Sequence, residues 1–259
     1  MTPIFFFHLH KCGGTTFIKA AAANGHWFAP PGHAEMPLVS EQWTAVVQPF
    51  WKETQIWHFW EERDPTLVHK CLAQMLAAGV TCLVQEYGHY DAQYWRQFTR
   101  VLCIRHPIDR LYSDFLHTQE IGKIVAGVAF HEWVEAGCAG LSTRLFVEQL
   151  GRGSVERARA ALEDFAVIVV QERYAETSAR MRVHGWTSTD PEKHFQSWTA
   201  RQATTGRQAL AAHPRVAMDL EVCCAGDLQV YYRAVELALQ GAGAPPPRGE
   251  SRGGGAPPP

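Results

Sequence analysis

The sequence contains no run of about 18 or more apolar residues, which excludes a conventional transmembrane helix. The N-terminal stretch MTPIFFFHLHK also lacks the basic start and the small-residue cleavage site of a secretory signal peptide. We therefore expect a strand at this position, no membrane segment and a cytoplasmic chain. A domain trimmed from a longer, membrane-anchored protein would begin with the same features.

Neither sign of charge is in excess. The chain has 24 Lys and Arg residues against 26 Asp and Glu residues, a formal net charge of -2. Without a positive field the chain is not expected to bind nucleic acid. An anionic ligand would have to be met locally by cationic side chains or backbone N–H groups.

The seven cysteines are an odd number and form no CxxC pair, so neither a disulfide framework nor a zinc cluster is indicated. We expect buried thiols and no metal. The HxH pair His8 and His10 has no third metal ligand at a suitable spacing, and alternation along the predicted strand puts both histidines on one face.

Apolar runs alternate with stretches of helical spacing. The predicted strands cover residues 4–9, 80–85, 100–104 and 166–170, and the predicted helices include 15–23, 108–118, 155–165, 175–183 and one within 219–239. This alternation predicts one α/β domain over residues 1–240, a three-layer sandwich with a mostly parallel central sheet. Residues 241–259 consist mainly of Gly, Pro, Ala and charged residues, which predicts a disordered tail.

A glycine-rich loop connects the first strand to the first helix. Its six residues are Lys11, Cys12, Gly13, Gly14, Thr15 and Thr16. Loop N–H groups, the positive end of the helix dipole, an ammonium group and two hydroxyls would converge on one anion, which is the pattern of a phosphate site. An ordinary βα turn in which Thr15 caps the helix would use the same residues. Because Lys11 precedes both glycines, the loop differs from that of ATP and GTP hydrolases, where Lys follows the second Gly.

A second motif follows the third predicted strand, in VLCIRHPIDRLYSDF. Arg105 leaves the strand end, Pro107 starts a helix, and Ser113 lies on that helix, so Arg105 and Ser113 could hold a second phosphate. The alternative is that Arg105 and Arg110 are solvated charges at a helix start, paired with nearby aspartates.

Taken together, HLHKCGGTTF and VLCIRHPIDRLYSDF resemble the HxxKxGGTS loop and the RDPxxRxxSxY motif of carbohydrate-type sulfotransferases. That family uses 3′-phosphoadenosine 5′-phosphosulfate (PAPS) as its co-substrate. The resemblance implies a P-loop-like nucleotide-binding fold, a 5′-phosphosulfate site at residues 11–16 and a 3′-phosphate site at Arg105 and Ser113. It also implies sulfuryl transfer to a hydroxyl-bearing acceptor, possibly a saccharide. His10, Cys12, His106 and Phe115 depart from the commoner family residues.

Sulfuryl transfer needs a cation near the leaving phosphate and a base for the acceptor hydroxyl. Lys11 is the candidate cation. Glu86 and His89 follow the second predicted strand and are the candidate bases, with His89 preferred because its imidazole titrates near neutral pH. Either residue could equally be a loop anchor.

Two other functions use the same loop. One is a nucleotide or small-molecule kinase, which would require magnesium. The other is a non-catalytic nucleotide-binding module that has lost its base.

Overall fold

The computed structural model describes residues 3–26, 28–29, 73, 76–77, 81–85, 88–137, 142–187 and 204–240. Glu86 and the predicted tail 241–259 lie outside the described residues. The predictions made for them stay predictions.

Five strands form one sheet: β1 (Ile4–His8), β2 (Phe28–Ala29), β3 (Cys82–Gln85), β4 (Thr99–Ile104) and β5 (Val167–Val170). Their spatial order is β2-β3-β1-β4-β5, and every neighbouring pair is parallel. The Phe-rich strand β1 is central because its residues can be buried on both faces of the sheet. The predicted α/β class with a mostly parallel sheet is confirmed.

Nine α-helices are described: α1 (Gly14–Ala23), α2 (Pro107–Glu120), α3 (Phe130–Glu135), α4 (Leu145–Gly151), α5 (Val155–Leu162), α6 (Tyr174–Ser178), α7 (Gly206–Ala209), α8 (Pro214–Cys223) and α9 (Ala225–Gln240). Short 3₁₀ helices cover Ala92–Tyr94, Gln171–Arg173 and Ala179–His184. The predicted helix 175–183 is therefore divided between α6 and a 3₁₀ segment, and α8 was not predicted. None of the helices in the described ranges is long and apolar enough to cross a membrane.

Alternation along β1 divides the core between the two faces of the sheet. Phe5 and Phe7 pack among side chains of α4, α5 and α9, and the ring of Trp95 stacks on Phe5 at a centroid distance of 3.6 Å. Ile4 and Phe6 pack on the other face, against α1 and the segment that follows β5. Helices thus cover both faces of the sheet.

The register brings the two predicted motifs side by side. His8, the last residue of β1, is paired with Cys103 near the end of β4, and Ile104 is paired with Val170 at the end of β5. The segments that begin at Leu9, Arg105 and Gln171 therefore leave the sheet at one edge, which is the edge where parallel sheets bind ligands.

Candidate functional site

The predicted phosphate loop is a tight turn with two residues in the left-handed region. Lys11 has φ 63° and Gly13 has φ 89°. A lysine in this region is uncommon and costs free energy, and such residues concentrate at functional sites. Lys11 is partly exposed at the sheet edge.

Both glycines of the loop are required by close packing. A Cβ atom on Gly13 would collide with the side-chain amide of Gln171, and one on Gly14 would collide with the ring of His8. Because the loop is packed between β1 and the end of β5, its glycine pattern has an internal steric cause. The pattern therefore carries less weight as a sign of ligand binding than it does in the sequence alone.

Helix α1 begins at Gly14, so the first backbone N–H groups of this helix have no intrahelical acceptor and point toward the loop. Thr15 lies in the first turn, and the next residue, Thr16, is buried. The predicted anion site would use these N–H groups and the helix dipole, and anion binding at this loop stays a prediction.

Cys12 fastens the loop to the core. Its N–H donates to the carbonyl oxygen of Leu9 at 3.1 Å, and its side chain is fully buried. Burial raises the pKa of the thiol to about 12, although the charges of Arg110 and Arg105 and a hydrogen bond from the Arg105 backbone N–H lower it. The thiol is therefore protonated and has a structural role. The predicted role of Cys12 in nucleotide binding stays a prediction.

The second motif begins where β4 ends. Arg105 is partly exposed, and the next residue, His106, precedes α2 with Pro107 at the first helical position. Pro107 suits this position because its fixed φ is helical and its missing N–H would have no acceptor there. Ser113 lies on α2 with only 5% of its surface exposed, so any phosphate contact would use a small accessible area.

The start of the second motif is held by the carboxylate of Glu172, a contact that the sequence does not predict. Glu172, from the 3₁₀ segment after β5, accepts the backbone N–H of His106 at 2.7 Å. Its other oxygen accepts the hydroxyl of Tyr231 on α9 at 3.2 Å. The sequence shows only that a glutamate follows β5, and it does not show which groups that glutamate contacts.

Arg110 is almost fully buried, at 1% exposure, so the solvated-charge alternative is wrong for this residue. One guanidinium nitrogen donates to the carbonyl oxygen of Ser142 at 2.9 Å, and the other lies 3.9 Å from a carboxylate oxygen of Asp114. The neighbouring Asp109 is also buried and accepts three hydrogen bonds from Arg207, at 3.1, 3.1 and 2.8 Å. Both charges of this helix turn are thus internal.

His89, the preferred base, contacts α4. Its Nδ1 lies 3.0 Å from the carbonyl oxygen of Glu148, and its own carbonyl accepts a hydrogen bond from the side chain of Gln85 at 3.3 Å. The next residue, Tyr90, packs its ring on Phe7 at 5.6 Å. The chain after β3 therefore turns back over the sheet face, and His89 makes the contact of a loop anchor. Its role as a base stays a prediction, as does that of Glu86.

The expectation that His8 and His10 share a strand face is wrong, because β1 ends at His8 and His10 lies in the following turn. The His8 ring stacks near Phe6 at 5.4 Å, whereas His10 faces Asp114 on α2. Within the described ranges, no group of three or more His, Cys, Asp or Glu side chains could hold a metal ion.

A shallow groove of about 410 Å³ lies between residues 90–92 and helices α4 and α5. Its lining includes Arg152, Arg157 and Asp164, and it contains no residue of either motif. The groove is therefore separate from the candidate site at the loop and the strand ends.

Comparison with known proteins adds no assignment: the chain matches no protein-family model, no curated protein and no solved structure.

Proposed function

We propose that the protein is a sulfotransferase that moves the sulfuryl group of PAPS to a hydroxyl of an acceptor, with saccharides as the first acceptor class to test. The observation that carries this proposal is the parallel pairing of β1 and β4, with His8 opposite Cys103. This pairing brings the Lys11 loop and the Arg105 turn to one edge of the sheet. A ligand with two separated phosphate groups would find a cationic side chain and a helix start for each of them.

The central position of β1 supports the same proposal. The chain continues from β1 to β2 and β3 on one side of it and then crosses to β4 and β5 on the other. A crevice outside the strand ends forms where the direction of winding reverses, and nucleotides bind in such crevices. The proposal therefore includes that the chain has a P-loop-like nucleotide-binding fold.

The residues at the edge fit PAPS by their chemistry. The N–H groups at the start of α1 and the ammonium group of Lys11 would hold the 5′-phosphosulfate, and Arg105 with Ser113 would hold the 3′-phosphate. PAPS supplies the activated sulfuryl group. Lys11 would offset the negative charge that grows on the leaving phosphate, the largest electrostatic demand of such a reaction.

The test is binding and turnover with defined nucleotides. We expect 3′-phosphoadenosine 5′-phosphate (PAP) to bind more tightly than AMP in calorimetry, and sulfur-35 to pass from labelled PAPS to an acceptor without added magnesium. Magnesium-dependent transfer of phosphate from ATP would instead identify a kinase. PAP binding without sulfate transfer to any acceptor or to water would indicate a non-catalytic nucleotide-binding module.

A further inference from the structure

His10 precedes Lys11 in the loop and makes a contact that the sequence does not predict. Its Nε2 lies 3.4 Å from Oδ1 of Asp114, one helical turn beyond Arg110 on α2. The side chains of His10 and Asp114 are 27% and 20% exposed, so the pair is held within the protein and is still reachable from solvent. The pair thus holds a titratable imidazole next in sequence to Lys11, the residue proposed to act on the leaving group.

The carboxylate of this pair is ionised at neutral pH. Burial alone would raise the pKa of Asp114, but the hydrogen bond and charge of His10 and the charges of Arg110 and Lys11 together lower it. A guanidinium nitrogen of Arg110 lies 3.9 Å from the second oxygen of Asp114. An anion at this position fixes the orientation of the imidazole.

The ring orientation has a chemical consequence. With Nε2–H donating to Asp114, Nδ1 is the nitrogen with a lone pair for a proton. An imidazole oriented by a carboxylate is the usual arrangement for general-base removal of a proton from a hydroxyl group.

We propose that His10, positioned by Asp114, is the general base that takes the proton from the acceptor hydroxyl. This inference rests on the proposed function. The acceptor oxygen forms a bond to sulfur while the bond from sulfur to the bridging phosphate oxygen breaks. The hydroxyl proton moves to Nδ1 of His10, the electron pair of the broken bond stays with the phosphate, and Lys11 offsets its charge.

Other histidines near the edge have different partners. His89 contacts the Glu148 carbonyl on α4, and His117 lies 3.9 Å from Glu120 near the end of α2. Burial and the charges of Lys11 and His10 lower the pKa of His117, which shows that its ring belongs to the same electrostatic cluster. His117 is therefore a matched control: it is a histidine of the same cluster, but its ion pair is with Glu120, whereas that of His10 is with Asp114.

The experiment compares His10→Gln, Asp114→Asn and His117→Gln in the full chain. Sulfur-35 transfer from PAPS is measured to desulfated heparin, desulfated chondroitin, p-nitrophenol and water, and PAP affinity and thermal unfolding are measured in parallel. We expect kcat to fall about 100- to 10,000-fold in His10→Gln, with the Kd for PAP within about threefold of wild type. Asp114→Asn should also lower kcat. His117→Gln should leave kcat within about threefold of wild type.

Two further readouts separate a base from a structural anchor. Imidazole added to His10→Ala should restore part of the lost rate, and the acidic limb of the kcat/KM profile should disappear in that variant. A wild-type kcat in His10→Gln would overturn this inference and leave the proposed function standing. Equal losses in the His10 and His117 variants, or a loss that imidazole does not relieve and that accompanies weaker PAP binding, would also overturn it. No transfer by the wild-type chain would overturn the proposed function itself.

Discussion

The carboxylate of Glu172 accepts the backbone N–H of His106 across the edge of the sheet, at 2.7 Å. The bond joins the end of β5 to the turn that presents Arg105. It supplies an acceptor to a backbone group that the start of a helix would otherwise leave without one. The position of Arg105 therefore depends on a residue 67 positions away in the sequence.

Glu172→Ala should destabilise the fold, because it removes the acceptor of both the His106 N–H and the Tyr231 hydroxyl. Because Glu172 is exposed and water can replace part of the two partly buried hydrogen bonds, we expect a loss of about 1–2 kcal/mol in the free energy of unfolding measured with urea. Glu176→Ala is the matched control, since Glu176 forms an exposed pair with Arg173 and should change stability by less than about 0.5 kcal/mol. Equal effects of the two substitutions would contradict the assignment.

Gly14→Ala should cost about 1–3 kcal/mol of stability, because the added methyl group would occupy the space of the His8 ring. The φ of Gly14 is not in the left-handed region, so the collision is the expected cause of the loss. A double-mutant cycle with His8→Ala measures it by chemical denaturation. The double variant should lose less than the sum of the two single losses, and strict additivity would show that the ring is not the obstacle.

His106→Gln should flatten the acid limb of the stability profile. Burial lowers the pKa of His106 from 6.5 to about 4, with the charge of Arg207 adding to the effect, while Asp109 opposes it. Between these pH values the unfolded chain binds a proton that the folded chain does not, so the wild type loses stability as pH falls from about 6.5 to 4. The loss is at most about 3 kcal/mol. Urea titrations at pH 7, 6, 5 and 4.5 measure the difference between wild type and variant, and parallel profiles would refute it.

Lys11→Ala should lower the turnover of PAPS more than the affinity for PAP, because the charge it offsets is greatest in the transition state. We expect kcat to fall at least about 100-fold, with less than about tenfold change in Kd. Lys19→Ala, on the same helix that follows the loop, is the control and should leave both constants near wild type. If affinity fell as much as turnover, Lys11 would be a ground-state phosphate ligand only.

Arg105→Ala should weaken binding of PAP about 10- to 100-fold and leave binding of AMP unchanged, because the lost contact is made to the 3′-phosphate. Calorimetry with the two nucleotides gives the comparison. Arg173→Ala removes an exposed guanidinium group from the segment that follows β5 and should affect neither nucleotide. Equal weakening of PAP and AMP would assign Arg105 to the 5′ side or to general electrostatics.

Four of the five strands were predictable because they are short apolar runs whose burial requires a strand, whereas the two-residue strand β2 was not predicted. The runs near Phe5, Val101 and Val167 lie within the observed strands β1, β4 and β5. Helix α8 was missed because its buried positions are only Val216 and Leu220, too few for a clear helical pattern. Its neighbour α9 has a broader buried stripe and was recognised.

The polar partners could not be predicted, because they depend on tertiary distances. Asp227 shows this: it is fully buried and accepts the N–H groups of Phe146 and Val147 at 3.0 and 2.9 Å, which caps α4 from the first turn of α9. Burial raises its pKa to about 7 although those hydrogen bonds lower it. Nothing in the local sequence distinguishes this aspartate from a solvated one, and the same is true of Asp114 beside His10.

The thiol of Cys12 is buried, so it does not react with reagents in solution while the loop keeps the conformation described above. A protonated sulfur with no exposed surface cannot attack an alkylating reagent, so modification has to wait until the turn opens. The rate of Cys12 labelling in the native protein therefore reports how often the turn opens. The measurement works without a fluorescent tag or a known substrate, and any compound that holds the loop shut would slow the labelling.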